Sequence, residues 1–504
     1  MNLRLPRQLQ RGQASCTWTW RVFLTCWLGY TVFWAPYIVR EHFPAVALAE
    51  RGSLNVERYL GWTEDIFRGP GGGAYINNNP GASLTGAVPL VLLRPLLSRV
   101  DEWNQKLPRR DRNSDDGDLF WRTLAEGRAF YFLLVGFVTV ALVMAPATAG
   151  TAAYLCSRLT ESGVPAAHAA GAAVLYGLGT PVFFRAGYLN HNLLVGDAGF
   201  TALLLLWDPE NRPVHALRAA LAGLLAGYAV LCDYSGVVVV AVTALYVWLR
   251  SAGQPGTQRW RVMTAYAAGI VPAVAALAVY QAWAFGSFYR PSQHYMPPTA
   301  PTSLGYRGFD WPSPALMWAN FFDPRFGLFA YCPALVLAFA APFITRVKYR
   351  VPARETRILF TYFALFVLFC AANQYSWLQP RTGFRYLVPV VPALALLAVQ
   401  TAQVLPQLVR WVIAALTCLQ SVIIAAAHRN DVRLAVSTIW RRKFQLPWMI
   451  RLGDAGVPVN WAWPLVTYVL LALVVTAIWI APALSHRGSA SAEAADSGNR
   501  SPGS

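Results

Sequence analysis

The chain has 504 residues, of which 56% are hydrophobic and only 13% charged, with a formal net charge of +18 and a mean hydropathy of +0.38. Soluble chains carry about 25% charged residues, so the composition excludes an ordinary soluble enzyme and indicates an integral membrane protein. The cations are dispersed between apolar runs with no stacking platform or groove motif, which argues against a nucleic-acid partner and leaves membrane lipids, with their anionic head groups and phosphates, as what they meet.

In chain order, a basic stretch over 1–17 precedes an apolar segment at 18–39 that has no small-residue cleavage pattern after it and reads as a retained signal anchor. A polar loop over 40–128 follows, with short helices expected over Arg40 to Gly52, Val56 to Phe67 and Ser83 to Leu97 and a mobile charged stretch from Asp101 to Asp118. The third of these helices is too short to cross and contains Pro89, Arg94 and Pro95, so it is expected to lie at the interface. Loops of this length tend to be functional or disordered. Apolar runs then recur at 129–157, 166–186, 192–207, 217–232, 234–250, 262–284, 326–345, 358–373, 386–404, 410–428 and 462–484, which with the first makes about twelve crossings of a ~30 Å hydrocarbon core. Open sheet edges are not viable in lipid, so the expected fold class is an all-α polytopic membrane protein, with a transmembrane domain over 18–484 and a large extracytoplasmic first loop. The Ser-, Gly- and Ala-rich tail, 485–504, is expected to be disordered and cytoplasmic.

Three basic groups set the orientation: Arg4, Arg7 and Arg11; Arg250, Arg259 and Arg261; and Arg346, Lys348, Arg350, Arg354 and Arg357. All fall on one side of a twelve-span arrangement, which makes that side cytoplasmic. Arg429, Arg433, Arg441, Arg442, Lys443 and Arg451 would then lie outside, through a miscounted span or because they bind something anionic. The seven cysteines are scattered without a Cys-x-x-Cys pair, so neither a zinc site nor a disulfide framework is expected. No nucleotide-binding glycine loop and no internal repeat is present.

The segments assigned to the outer face collect carboxylates, arginines and aromatics, the residue set that binds a sugar phosphate. They are the first loop, Gly187-Tyr-Leu-Asn-His-Asn192, Phe285 to Arg325, and Asn373 to Tyr386. Glu41-His-Phe, Glu64-Asp65, Ala74-Tyr-Ile-Asn-Asn-Asn-Pro80-Gly81 and Pro89, in that order, resemble the first outer loop of the GT-C superfamily of membrane glycosyltransferases. Asn320 to Pro333 and Trp377 to Pro389 are similar to later stretches of the same superfamily, which includes protein O-mannosyltransferases and bacterial aminoarabinose transferases.

The resemblance implies a transferase of the cell envelope, in the inner membrane of a bacterium. Its partners would be a polyprenyl-phosphate sugar donor and a hydroxyl or similar acceptor, joined with inversion on the extracytoplasmic face. Such chemistry needs a base for the acceptor's proton and cations for the departing phosphate. Glu41 matches the position of the family's catalytic acid, and Asp65 a second acid found in some relatives. Plain alternatives are an ion pair of Glu41 with Arg40 and a solvated face around Asp65. Where several relatives carry a further acid, this chain has Asn190-His191, which departs from the two-carboxylate pattern; His191 then serves as base or hydroxyl ligand, or is structural. Arg385, Arg381 and Arg325 are candidates for the carrier phosphate, against snorkelling to head groups. Tyr375 and Trp377 stack on sugar or belong to the interfacial belt. The outer carboxylates suit Mg²⁺ or Mn²⁺, although no ligand spacing requires a metal. Asp197, deep in a span, must face the interior with a polar partner. Asp233 reads as the cap of a tight turn. A lipid or small-solute transporter and a non-catalytic envelope scaffold remain alternatives.

Overall fold

The computed structural model describes residues 7–109, 119–381, 383–428 and 431–497, and of residues 7–15, 381 and 481–497 the backbone alone. Apart from one short hairpin, the described chain is helices and turns. Helix α1 (Arg7–Val32) leads into an extended connection and α2 (His42–Arg51), which stops where Gly52 takes a left-handed φ of +67° and returns its N–H to Leu48 O.

No helix forms over Val56 to Phe67. A single 3-10 turn, Glu57–Tyr59, is followed by an antiparallel hairpin of β1 (Ile66–Arg68) and β2 (Ala74–Ile76), with Ile66 opposite Ile76. The reason is local: Gly69-Pro-Gly-Gly-Gly73 closes the hairpin, with Gly69 N–H on Gly73 O at 2.7 Å and Gly72 at φ +83°.

Helices α3 (Gly81–Leu92) and α4 (Arg94–Gln105) replace the expected interfacial helix and are bent by 84°. Pro95 has no N–H for the helix that would otherwise run through, so the chain breaks at Leu93. Much of α3 is buried, against α2 on one side. Gly81 allows the close approach of α3 to the helix ending at Cys232: a Cβ there would stand 2.7 Å from Leu231 and Cys232 backbone atoms. Within the charged stretch, residues 101–105 complete α4, whereas 110–118 lie outside the described residues.

The bundle continues with α5 (Leu119–Ala125), then α6 (Ala129–Thr139) and α7 (Ala145–Glu161), joined through a π turn at Val140–Met144 into one rod. Next come α8 (Ala166–Gly179), α9 (Val182–Ala186), α10 (His191–Leu206), α11 (Ala216–Cys232), α12 (Gly236–Arg250) and α13 (Gly256–Phe285). Helices α11 and α13 touch backbone to backbone, since a Cβ on Gly223 would meet Tyr266 O and one on Gly269 would meet Ala220 O. The remainder is α14 (Pro314–Phe322), α15 (Leu328–Tyr331), α16 (Ala353–Ala372), α17 (Val391–Ala402), α18 (Gln407–Ala427), α19 (Ala435–Arg441), α20 (Pro447–Asp454) and α21 (Ala462–Ser497).

Several expected spans are broken. The run at 326–345 is α15 and an irregular 3-10 segment, Pro333–Phe343, because extended Cys332 and Pro333 interrupt the helix. Thr180-Pro181 divides 166–186. Among the described residues, five helices are long and apolar enough to cross a membrane, or six if the bent α3–α4 pair is one span, and further apolar helices have 10–17 residues. Twelve full crossings are therefore not reached on length and composition. The backbone of α21 extends helically to Ser497 rather than loosening at His486, as its Ala and Glu residues favour; 498–504 lie outside the described residues.

Candidate functional site

Four segments distant in sequence meet around one carboxylate. Glu41, between the α1 connection and α2, is 2% exposed. Its Oε1 accepts from Asn78 Nδ2 at 2.7 Å and faces His191 Nδ1 at 2.7 Å and Arg40 Nε at 3.3 Å. Burial opposes ionisation of Glu41, but the charges of His191 and Arg40 and the hydrogen bond from His191 outweigh it and hold the carboxyl well below the ordinary carboxylate range.

Each partner is delivered by local structure. The hairpin sets Asp65, just before β1, opposite Asn77, just after β2: Asn77 N–H meets Asp65 O at 3.0 Å and Asn77 Nδ2 meets Asp65 Oδ1 at 2.7 Å. The next residue, Asn78, thereby reaches Glu41, and Asn79 donates to Val230 O at 2.7 Å, tying the loop to α11. The asparagine run is thus a set of three separate clasps. Arg40 spans the cluster, with Nη1 on Asp65 Oδ2 at 2.8 Å.

His191 is the first residue of α10. Asn190, standing where an acid was expected, caps that helix by accepting from Leu193 N–H at 2.9 Å. The His191 ring therefore lies at the helix N-terminus with Nδ1 toward Glu41 and Nε2 toward Asp233 Oδ2, 3.8 Å away. That second distance exceeds a hydrogen bond, and Nε2 is met instead by Asn192 Nδ2 at 3.0 Å. Asp233 also caps α12, its Oδ1 accepting from Ser235 N–H at 2.9 Å. The side chain of Glu41 is 3% exposed, those of Asp233 and Asp65 20% and 34%, so the cluster opens toward solvent at its aspartates. The adjacent His42 is structural: burial pushes it down to about 4 and its Nδ1 accepts from Val39 N–H at 3.1 Å.

Tyr386 lies within electrostatic range of Asp65, Asp233 and Arg40 and also of Arg385. Arg385 donates through Nη2 to Tyr386 Oη at 2.8 Å, has its guanidinium over the Tyr386 ring, and keeps a buried Nε without a partner among the described residues. It has no carboxylate partner there either. Its loop is anchored from below by Arg185, which is 1% exposed and donates to Gly383 O at 2.7 Å and to Phe384 O and Tyr188 Oη. Gln379 Oε1 accepts Arg385 N–H at 3.0 Å while its Nε2 donates to Asn320 at 2.6 Å, which joins the two later motifs.

Glu41, Asp65 and His191 are thus brought together, with Arg385 across Tyr386. Tyr375 joins indirectly, its Oη directed to Met296 Sδ, which also takes Asn77 Nδ2. Trp377 is 44% exposed and outside this network. Arg325 is excluded from it by its fork on Asp323, at 3.0 and 2.8 Å. The side chain of Arg381 lies outside the described residues. Among the described residues, no three metal-ligating side chains are gathered for an ion. Asp197, buried in α10, accepts from Thr148 Oγ1 at 2.7 Å.

Sequence reasoning assigned no functional part to Asn78, Arg185 or Tyr386 and read Asp233 only as a cap. Arg185 was visible as a cation within an apolar run, a signal of function in itself; the others depended on which loops meet.

Fold and site together define the class: a helical protein with membrane-type apolar helices and a buried carboxylate–imidazole cluster at a helix N-terminus. Comparison with protein families, characterised proteins and solved structures found no match.

Proposed function

We propose that this protein is a membrane glycosyltransferase that moves a sugar from a polyprenyl-phosphate donor to an acceptor hydroxyl of the cell envelope, with inversion and on the extracytoplasmic face. The observation that carries the reading is the line Glu41–His191–Asp233, with 2.7 and 3.8 Å separations, beside a guanidinium, Arg385, that lacks a carboxylate partner among the described residues. In this mechanism the acceptor hydroxyl takes the place of Asn192 Nδ2 and donates to His191 Nε2, while Asp233, 3.8 Å from that nitrogen, adds to the stabilisation of the imidazolium that forms. Glu41 fixes the imidazole and stabilises its positive charge, as a carboxylate does in a nucleophile–base–orienter relay. The acceptor oxygen bonds to the anomeric carbon, its proton passes to His191, and the bond to the phosphate oxygen breaks with its electron pair leaving on the phosphate. Arg385, backed by Arg185, stabilises that charge. Glu41 is then the orienting group rather than the base, because a carboxyl held so low is a weak proton acceptor.

The test uses native membranes, which supply their own acceptor, and a panel of radiolabelled polyprenyl-phosphate sugars. Wild type should release label from one donor, His191→Ala should be slower by about 10²–10⁴-fold, and Asp233→Asn, which retains an acceptor for Ser235 N–H, should also be slower. Equal rates, or no donor consumed, would remove the transferase reading. One observation favours a transporter instead: Asp197 lies inside an apolar helix with Oδ1 unpartnered among the described residues. Proton-coupled uptake into vesicles that is lost in Asp197→Asn but retained in Asp233→Asn would select that reading.

A further inference from the structure

A cavity of about 220 Å³, lined by Glu50, Arg58, Arg94, Asp101, Glu102 and Tyr131 among others, opens between α2, the turn at Glu57–Tyr59 and α4. It is far larger than the roughly 10–15 Å³ that one water needs. Beneath it lies Arg128, 1% exposed, bound to Asp101 at 2.9 Å, to Glu50 at 2.5 Å and to Tyr59 Oη at 2.9 Å, and stacked over Tyr131. This saturated cation neutralises the inner carboxylates. Arg58, Arg94 and Glu102 are different: they line the same cavity, yet none makes a hydrogen bond or ion pair with any described residue.

The charges balance. Three carboxylates, Glu50, Asp101 and Glu102, stand with three guanidinium groups, Arg58, Arg94 and Arg128, so the surroundings have no net charge. A purely anionic or purely cationic ligand would leave one unpaired group facing its own sign. A zwitterion satisfies all three free groups, with a phosphodiester for the arginine forks and an N–H-bearing ammonium for Glu102. Beside Arg94, at the 84° bend, Val88, Val91, Leu92 and Leu96 present exposed apolar side chains. Those are surfaces for acyl chains.

We infer that this cavity binds the headgroup of a phosphoethanolamine lipid, its phosphodiester on Arg58 and Arg94 and its ammonium on Glu102, with the acyl chains against the exposed side of the α3–α4 bend. The site is independent of the transferase reading, since none of its residues belongs to the Glu41 cluster.

The test is native mass spectrometry of the delipidated full chain, titrated separately with phosphatidylethanolamine, phosphatidylglycerol and phosphatidylcholine of identical acyl chains. Phosphatidylethanolamine should bind at least about tenfold more tightly than either, because phosphatidylglycerol lacks the ammonium and phosphatidylcholine lacks its N–H donors. Glu102→Gln should abolish the preference over phosphatidylglycerol, and the Arg58→Ala/Arg94→Ala double variant should weaken all three lipids. All three side chains are exposed, so these variants should fold. Indistinguishable binding of the three lipids by wild type, a measurement that needs no variant, would overturn the proposal, as would unchanged binding in the double variant. Glycerophosphoethanolamine, which has the headgroup without acyl chains, should bind far more weakly; equal binding would overturn a lipid source in favour of a soluble one.

Discussion

Replacing Glu41 by Gln tests the centre of the cluster through stability as well as rate. The carboxylate Oε1 has three neighbouring donors, Asn78 Nδ2 at 2.7 Å, His191 Nδ1 at 2.7 Å and Arg40 Nε at 3.3 Å. Gln preserves shape and an acceptor oxygen but removes the charge. Hydrogen bonds to charged groups contribute about 1.5–3 kcal/mol and neutral ones about 0.5–1.5 kcal/mol, so three weakened bonds amount to roughly 3 kcal/mol. Part of this is offset, because a carboxylate no longer has to be desolvated. Arg40 also retains Asp65. The net expectation is a loss of about 1–2 kcal/mol near neutral pH.

The pH dependence separates this account from a generic packing defect. Glu41 is depressed in the folded state, so its contribution is fully present above the unfolded glutamate value of about 4.3 and is lost as pH falls through the folded value. Wild type should therefore lose stability faster than Glu41→Gln below about pH 4.3, and the gap between them should narrow. Thermal unfolding in detergent from neutral pH to acid, followed by tryptophan fluorescence, measures it. A gap that stays constant with pH would refute the charged-carboxylate reasoning. On the transferase reading the same variant should slow transfer by about 10²–10⁴-fold.

Gly81→Ala should destabilise the loop–α3 junction by about 1–3 kcal/mol, since the new Cβ meets Leu231 and Cys232 backbone that no rotamer can move; a thermal melt within about 0.5 kcal/mol of wild type would contradict that packing. Arg128→Met leaves Glu50 and Asp101 without their common cation, at a cost of about 3 kcal/mol, the low end for a broken buried pair because both carboxylates are partly exposed. Its melting point should recover when Asp101→Asn and Glu50→Gln are added, and no recovery would count against the assigned pairing. Arg385→Ala should reduce sugar transfer by about 10²-fold or more, whereas Arg325→Ala, whose fork is closed on Asp323 outside the cluster, should transfer at the wild-type rate; the opposite order would relocate the phosphate site.

How legible the site was in the sequence depends on the range of the interactions that build it. Helix-forming segments announced themselves by apolar length, and α2 ended at Gly52 as composition suggested. Errors fell where backbone chemistry overrides hydropathy. The glycine run at 69–73 specifies a hairpin rather than a helix, and Pro333 and Pro95 break runs that are otherwise apolar enough to continue. Glu41, Asp65 and His191 were selected as individual residues, but their mutual geometry was not readable. It depends on β1 and β2 bringing Asn77 opposite Asp65, so that Asn78 falls on Glu41, and on Asn190 starting α10 one residue before His191. The asparagine run was legible as a turn only. Its three side chains fulfil three long-range obligations, to Asp65, to Glu41 and to Val230 O, and nothing local distinguishes one asparagine from the next. Asp233 shows the same limit from the other side. Its capping bond to Ser235 is a two-residue relation that sequence can suggest, whereas its position 3.8 Å from His191 follows from the start of α10 lying beside the end of α11. A polar residue that satisfies a local contact can therefore conceal a second neighbour across the bundle, and in this chain the concealed one is an imidazole, with Nε2 3.8 Å from the carboxylate.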